Sequence, residues 1–377
     1  TMLVKDIRTG AANSDPQGFV NLNGTLYFTA YTDETGFELW KSDGTASGTS
    51  LVKDIYPGSN AFGNPNSSNP YMISSINGML YFSANDGTSG GELWKSDGTT
   101  AGTVLVKDLN PGAGHSYPGN FTQAAGTIFF TASNGSTGVN SDEEIWKTDG
   151  TSAGTIRVKD IKPGVVTSNP KELTAYKNLL YFSANDGTNP TEMWVSDGTE
   201  AGTVSFREYS GGSAISNAKD FRVLRDTMYF VAQVAGGGTG IWKSDGTVAG
   251  TVPVKRTGSG SSTTPAQFTL SNGQIFFTCL TSGIGVELWK TDGTEAGTVL
   301  VKDLYPGSQD SKPDFLTDFK GSLYFAASGG LNRKEIWKSD GTETGTINLT
   351  LGTKSGTNPT DITILNDYLI FAADDAE

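Results

Sequence analysis

The sequence predicts an all-β protein, a β-propeller built from four-stranded antiparallel blades. Three observations predict this fold. The seven tryptophans all lie in one recurring motif and are 47 to 54 residues apart, which is the length of a propeller blade. Each repeat contains four short runs rich in β-branched and aromatic residues, bounded by Gly, Asn, Asp and Pro. No window shows sustained helical periodicity, so the repeats are expected to be sheets that pack against one another.

The four predicted strands of a repeat follow in a fixed order. The first is an alternating run that ends in a hairpin turn such as Asn23-Gly24 or Asn77-Gly78. The second resembles "TLYFTA", the third reads "ELWK" and the fourth reads "TVLVKDL". The predicted blades span approximately 16–55, 71–109, 120–161, 171–209, 219–257, 266–304, 314–352, and 361–377 together with 2–7.

The number of strands predicts one propeller domain over 1–377 with eight blades, and seven blades are the alternative. There are eight strands of the second type, and eight of the fourth type when "TMLVKDI" at the start of the chain is included. The last blade lacks its "ELW" strand, so the closing blade is expected to be incomplete. Both ends fall within a repeat, which indicates that the chain belongs to a longer polypeptide.

The "SDGT" sequence must reverse the chain between the third and fourth strands. Its Asp is predicted to accept backbone N–H groups in an Asx turn, and its Gly supplies a positive φ. One Asp per turn offers fewer oxygens than Ca²⁺ requires, which favours a structural role. The structural aspartates are Asp43, Asp97, Asp149, Asp197, Asp245, Asp292 and Asp340.

The tryptophan occurs once per repeat at one position of the third strand, which is typical of packing between blades; a sugar pocket between blades is the alternative. The Glu two residues earlier is expected to pair with the Lys of "VKD" on the adjacent strand. The structural tryptophans are Trp40, Trp94, Trp146, Trp194, Trp242, Trp289 and Trp337.

The composition argues against several classes of function. The 377 residues carry a net charge of −13, which disfavours binding to nucleic acids and to anionic membranes. No apolar run approaches the length of a membrane-spanning helix, so no membrane insertion is expected. The single Cys279 and single His115 make an internal disulfide impossible and leave structural zinc and Ser-His-Asp chemistry nearly excluded. We therefore expect no catalytic residue and no cofactor, with calcium left open.

Ligand binding is expected on the face that carries the loops between strands two and three and the connectors between repeats. These segments vary in length and composition, whereas the turns of the opposite face are uniform. Variable loops on a rigid scaffold are where binding residues usually lie. The candidate ligand-binding residues are Tyr31, Asp33, Glu34, Tyr56, Asp86, Tyr117, Asp142, Asp186 and Tyr305.

The phrase "ELWKSDGT" and its six other copies resemble the bacterial ELWxxDGT tandem-repeat family over nearly the whole chain. The resemblance implies a secreted or cell-surface bacterial protein and no defined activity. Repetition without a unique polar constellation favours a non-catalytic binding or adhesion module whose partner is a glycan or a surface protein. The alternatives are a carbohydrate-active enzyme that uses loop carboxylates, and a multivalent lectin with one site per blade.

Overall fold

The computed structural model describes residues 3–135, 142–164, 166–188, 191–206, 215–233, 238–247, 249–258, 265–330, 333–349, 358–365 and 368–372. Every regular element within these ranges is a β-strand. The chain divides into two compact units, Thr1–Tyr209 and Ser210–Glu377, and each is described by itself. No described segment forms a helix that is long and apolar enough to cross a membrane.

The first unit contains four sheets, each with four antiparallel strands in sequence order. The inner strands of consecutive sheets, β1, β5, β9 and β13 below, lie beside one another. The strands are β1 Gln17–Leu22, β2 Thr25–Thr32, β3 Gly36–Ser42, β4 Ser50–Lys53, β5 Tyr71–Ile76, β6 Met79–Asn85, β7 Gly91–Ser96, β8 Val104–Lys107, β9 Gly119–Ala124, β10 Thr127–Ser133, β11 Glu143–Thr148, β12 Ile156–Lys159, β13 Lys171–Tyr176, β14 Leu179–Ala184, β15 Glu192–Ser196 and β16 Val204–Ser205.

The second unit contains three further four-stranded sheets and a two-stranded sheet. Its strands are β17 Lys219–Leu224, β18 Thr227–Gln233, β19 Thr239–Ser244, β20 Val252–Gly258, β21 Ala266–Ser271, β22 Gln274–Thr281, β23 Gly285–Thr291, β24 Val299–Lys302, β25 Asp314–Phe319, β26 Ser322–Ser328, β27 Lys334–Ser339, β28 Ile347–Asn348, β29 Thr360–Leu365 and β30 Tyr368–Ala372.

Apolar residues from both faces of the sheets fill the space between consecutive sheets of a unit. Between sheets 1 and 2, Leu39 and Val52 pack with Leu80 and Phe82, all almost fully buried. The tryptophans join these layers. Trp194 is 6 % exposed, stacks on Phe182 at 6.4 Å and belongs to the cluster between sheets 3 and 4. Sheets 2 and 3, which each lie between two other sheets of the unit, are therefore apolar on both faces.

The "SDGT" turn forms the Asx turn that the sequence indicated. The Asp97 carboxylate accepts the backbone N–H of Thr99 at 2.8 Å and its hydroxyl at 2.7 Å. These hydrogen bonds lower the pKa of Asp97 below its ordinary value. Gly102 closes the turn, since a Cβ there would lie 2.1 Å from the Asp97 carboxylate. A side chain at this position would therefore displace the carboxylate from the turn.

Lysines connect each sheet to the "SDGT" turn of the next sheet in the same unit. Lys41 of β3 donates to the carbonyl of Gly98 at 2.9 Å, and Lys53 of β4 donates to the carbonyl of Thr103 at 2.8 Å. The predicted pairing of the "VKD" lysine with the "ELW" glutamate is therefore wrong. The ammonium group reaches forward to the next repeat because turn carbonyls point at it there.

The all-β architecture of repeated four-stranded antiparallel sheets agrees with the predicted propeller-like fold. The eighth sheet has only two strands in the described ranges, β29 and β30. Residues 3–7 form no strand, although Lys5 donates to the carbonyl of Thr49 as the "VKD" lysines do elsewhere. The eight-bladed ring stays a prediction.

Candidate functional site

The connectors that enter several of the sheets end in a tripeptide that we call the Ser-x-Pro elbow. Examples are Ser68-Asn69-Pro70 and Ser116-Tyr117-Pro118. The middle residue has a positive φ in both, 48° at Asn69 and 48° at Tyr117. This conformation is uncommon for residues other than glycine, so something must hold the elbow in place.

A buried glutamate holds the elbow. Glu92 of the "ELW" motif is fully buried and accepts the hydroxyl of Ser116 at 2.6 Å and the backbone N–H of Leu109 at 2.7 Å. The same contact joins Glu38 to Ser68 at 2.5 Å. We call this contact the Glu–Ser latch. It occurs also in the pairs Glu144 with Ser168 and Glu287 with Ser311.

Burial raises the pKa of the latch glutamates Glu38, Glu92, Glu144 and Glu287 to about 7, against the opposing effect of their hydrogen bonds. The fifth repeat shows what happens without this carboxylate. It has Gly240 at the equivalent position, and β20 stays paired with β19 as far as Gly258. In repeats with a latch the fourth strand ends at the "VKD" lysine, because the carboxylate draws the following backbone N–H towards itself.

A β-bulge follows each elbow. The pairing of β5 with β6 shifts register between Tyr71 and Ser74, and Met72 has a φ of 53°. Bulges redirect side chains and are common beside binding sites. Here the side chain of Tyr71 is 61 % exposed, and that of Tyr117 is 47 % exposed.

These features surround a pocket of about 360 Å³ in the first unit, which we call the tyrosine pocket. It lies where the connectors meet the ends of the second strands and the start of a third strand, on the face with the variable loops. The lining residues are Gln17, Thr29, Ser68, Asn69, Pro70, Tyr71, Ser83, Ala84, Asn85, Gly91, His115 and Tyr117.

His115 is fixed at the wall of the tyrosine pocket. Its Nδ1 accepts the backbone N–H of Gly91 at 2.7 Å, and its ring stacks on Tyr117 with centroids 5.2 Å apart. Because Nδ1 is an acceptor, the proton of the neutral imidazole is on Nε2. The wall therefore offers an aromatic surface and one N–H donor. His115 lies in the exposed connector between β8 and β9, and its contact with Gly91 could not be predicted from local sequence because the two residues are 24 positions apart.

The other candidate residues lie in several places. Only Tyr117 lines the tyrosine pocket, and Tyr305 lines a different pocket in the second unit. Asp33 forms an ion pair with Arg8 at 2.7 Å, and the guanidinium lies 4.7 Å from the Tyr31 ring. Glu34 is an exposed residue of the β2–β3 turn.

Three further candidates are engaged within the protein. Asp86 accepts the N–H and the hydroxyl of Thr88, both at 2.8 Å, and Asp186 does the same with Thr188. The Tyr56 ring packs where a Cβ on Gly87 would otherwise lie. Asp86, Asp186 and Tyr56 therefore stabilise the conformation of the loops next to the second strands.

Asp142 is 2 % exposed and lies in an acidic cluster with Glu144 and Asp160, whose ligand atoms are within 4.8 Å of one another. Arg157 forms ion pairs with Asp142 and Asp160, each at 3.2 Å. Asp142 is therefore a buried ion-pair residue, and the cluster contains its own cation.

No protein-family model matches this chain, and no curated protein is similar to it. Solved structures with a similar arrangement of strands include a prolyl endopeptidase, with 10 % identity and a TM-score of 0.49 over 89 % of this chain and 49 % of that one. A puromycin hydrolase is 13 % identical with a TM-score of 0.47, and a Mycobacterium tuberculosis puromycin-hydrolyzing peptidase is 9 % identical with a TM-score of 0.46. Both of these matches cover 96 % of this chain and 58 % of the other. This chain thus spans about half the length of its structural neighbours.

The prediction of a non-catalytic adhesion module is corrected by this comparison, in which the similar structures are a prolyl endopeptidase, a puromycin hydrolase and a puromycin-hydrolyzing peptidase. The similarity to these structures extends to the arrangement of strands alone. The sequence motifs that led to it are explained by the latch, the lysine contacts and the Asx turn, which are structural. The tyrosine pocket by itself is not shown to be catalytic.

Proposed function

We propose that the tyrosine pocket binds an extended, uncharged peptide segment as part of a peptide-processing protein. The observation that carries this proposal is the exposed pair Tyr71 and Tyr117, which opens a neutral pocket supported by stacked His115. An extended peptide that contains proline packs well on such aromatic surfaces, because the pyrrolidine ring presents a compact apolar face and the backbone is already ordered.

The polar residues of the pocket match a peptide backbone. Gln17, Asn69 and Asn85 each carry a side-chain amide that can donate and accept, as a peptide group does. None of the described residues that line the pocket is an Asp, Glu, Lys or Arg. A charged ligand would lose its hydration there without gaining a partner.

The walls of the pocket are held before a ligand arrives. The Glu–Ser latch fixes both elbows, and the Gly91 N–H fixes the His115 ring. When the side chains of a site are already ordered, binding loses less conformational entropy. We therefore expect measurable affinity from a pocket with few direct polar contacts.

Calorimetry with the capped peptide acetyl-Ala-Pro-Pro-Ala-amide tests the proposal. Tyr117→Ala and Tyr71→Ala should each weaken binding by about two- to twelvefold, since an aromatic contact contributes about 0.5–1.5 kcal/mol. The matched control is Tyr368→Ala, which removes a tyrosine that is 72 % exposed in the second unit. An affinity that is equal in Tyr117→Ala and the unaltered protein would contradict the proposal, as would tighter binding of a neutral oligosaccharide.

A further inference from the structure

A second pocket of the first unit lies one repeat after the tyrosine pocket and shares a wall with it. It has a volume of about 360 Å³, and its lining includes Tyr71, Tyr117, Asn169 and Glu143. Tyr71 and Tyr117 line both pockets. One ligand in contact with these two rings can therefore extend into both pockets. We call the second one the Glu143 pocket.

The two pockets are formed by equivalent positions of consecutive repeats. Tyr117 of the second elbow takes the place of Asn69 of the first, and Asn169 takes the place of Tyr117. Glu143 is the first residue of β11, as Gly91 is the first residue of β7. The glycine leaves the wall of the tyrosine pocket without a side chain, whereas the glutamate brings a carboxylate to the same place in the Glu143 pocket.

The Glu143 carboxylate is available to a ligand. The side chain is partly buried and forms no hydrogen bond or ion pair with any described residue. Successive side chains of a strand point to opposite faces, so Glu143 faces away from its neighbour Glu144 in the acidic cluster. Arg157, the cation of that cluster, is engaged by Asp142 and Asp160.

The charge of the Glu143 pocket is not compensated by its surroundings. Glu143 is the only Asp, Glu, Lys or Arg among the described residues that line the pocket. The loop between β10 and β11, "NGSTGVNSD" at 134–142, contains no Lys or Arg in its sequence. The exposed Lys171 of β13 does not line the pocket. The pocket therefore presents one negative charge to a ligand.

A carboxylate beside two aromatic rings suits a cation on an apolar stem. Tyr71 and Tyr117 are 61 % and 47 % exposed, so a ligand has access to their rings. An apolar stem packs on such rings, and a cation is attracted to their faces. The carboxylate accepts charge-assisted hydrogen bonds from an ammonium or a guanidinium group. The described lining of the tyrosine pocket has no such charged acceptor.

We propose that the Glu143 pocket is a second subsite, which binds a cationic group of the same peptide whose uncharged segment occupies the tyrosine pocket. This inference rests on the function proposed for the tyrosine pocket and adds the charge of the adjoining part of its ligand. Two sources share this chemistry, the side chain of a Lys or Arg residue and the ammonium group of a peptide N-terminus.

The test is calorimetry on the full chain at low salt with acetyl-Ala-Pro-Pro-Ala-amide extended by one lysine at either end. Each lysine peptide is compared with its norleucine counterpart, which keeps the apolar stem and lacks the charge. At least one lysine peptide should bind about two- to fivefold more tightly than its counterpart, as expected for a partly exposed ion pair with a cation–π contact. A gain of this size only on removal of the acetyl group would identify the N-terminal ammonium as the source.

Two variants separate charge from folding. Glu143→Gln should abolish the preference for the cationic peptide, and Glu143→Lys should reverse it. Both should fold, because the Glu143 side chain forms no hydrogen bond with a described residue, and urea unfolding checks this. The matched control is Glu200→Gln, which removes an exposed carboxylate from an "SDGT" turn of the same unit and should keep the preference.

The outcomes distinguish this inference from the function on which it rests. Equal affinity of every cationic peptide and its neutral counterpart would overturn the cationic subsite and leave peptide binding in the tyrosine pocket intact. A preference that persists unchanged in Glu143→Gln would do the same. Failure of all the peptides to bind, neutral and cationic alike, would overturn both proposals.

Discussion

The tyrosine pocket has a counterpart in the second unit, the lysine pocket, which has a volume of about 500 Å³ and is lined in part by Lys312, Arg333 and Lys334. The two pockets occupy equivalent places in their repeats but differ in the side chains that line them. Each is bounded by a Ser-x-Pro elbow, the end of a second strand, the start of a third strand and the next connector. Lys312 takes the place of Asn69, and Asn358 takes the place of Tyr117. The backbone frame is therefore common, and the side chains on it differ between the two pockets.

The common frame depends on the latch, and its removal should have the largest effect. Glu92→Ala leaves the buried Leu109 N–H without an acceptor and leaves the Ser116 hydroxyl only the Gly91 carbonyl at 3.3 Å, so it should lower the free energy of unfolding by about 1–3 kcal/mol. Urea unfolding measures this. The control Glu343→Ala removes an exposed carboxylate, and an equally small change in both variants would refute the structural role of the latch.

The latch also predicts a pH dependence that both units share. The folded-state pKa of Glu92 is raised to about 7, whereas the unfolded chain has the ordinary value of 4.5. The folded state therefore holds more protons between these values, and stability falls as pH rises through this window. The thermal midpoint should be higher at pH 5 than at pH 8.

Glu92→Gln should reduce this pH dependence, because the amide does not ionise, and Glu343→Gln should leave it unchanged. Differential scanning calorimetry at the two pH values provides the comparison. A thermal midpoint that rises from pH 5 to pH 8 in the unaltered protein would contradict this prediction, because groups other than the latch glutamates would then control the pH dependence of stability.

Local sequence was sufficient for several structural features. The hairpin at Asn23-Gly24 has positive φ values of 52° and 85°, as the dipeptide predicts. The "SDGT" turn forms because Asp97 and Thr99 are two residues apart and need no distant partner. Strand order within a sheet also follows from short connections.

The sequence by itself determined the repeat length, the four strands of each sheet and the turns, because these depend on contacts between residues close in the chain. The tertiary structure decided the roles of Glu92, Lys53 and His115, whose partners lie 24, 50 and 24 residues away. It also decided that Tyr117 faces a neutral pocket while Asp142 is buried against Arg157. The physical reason is that these polar side chains face a neighbouring strand, turn or connector. Their hydrogen-bond partners therefore depend on how the sheets and connectors pack, which local sequence does not specify.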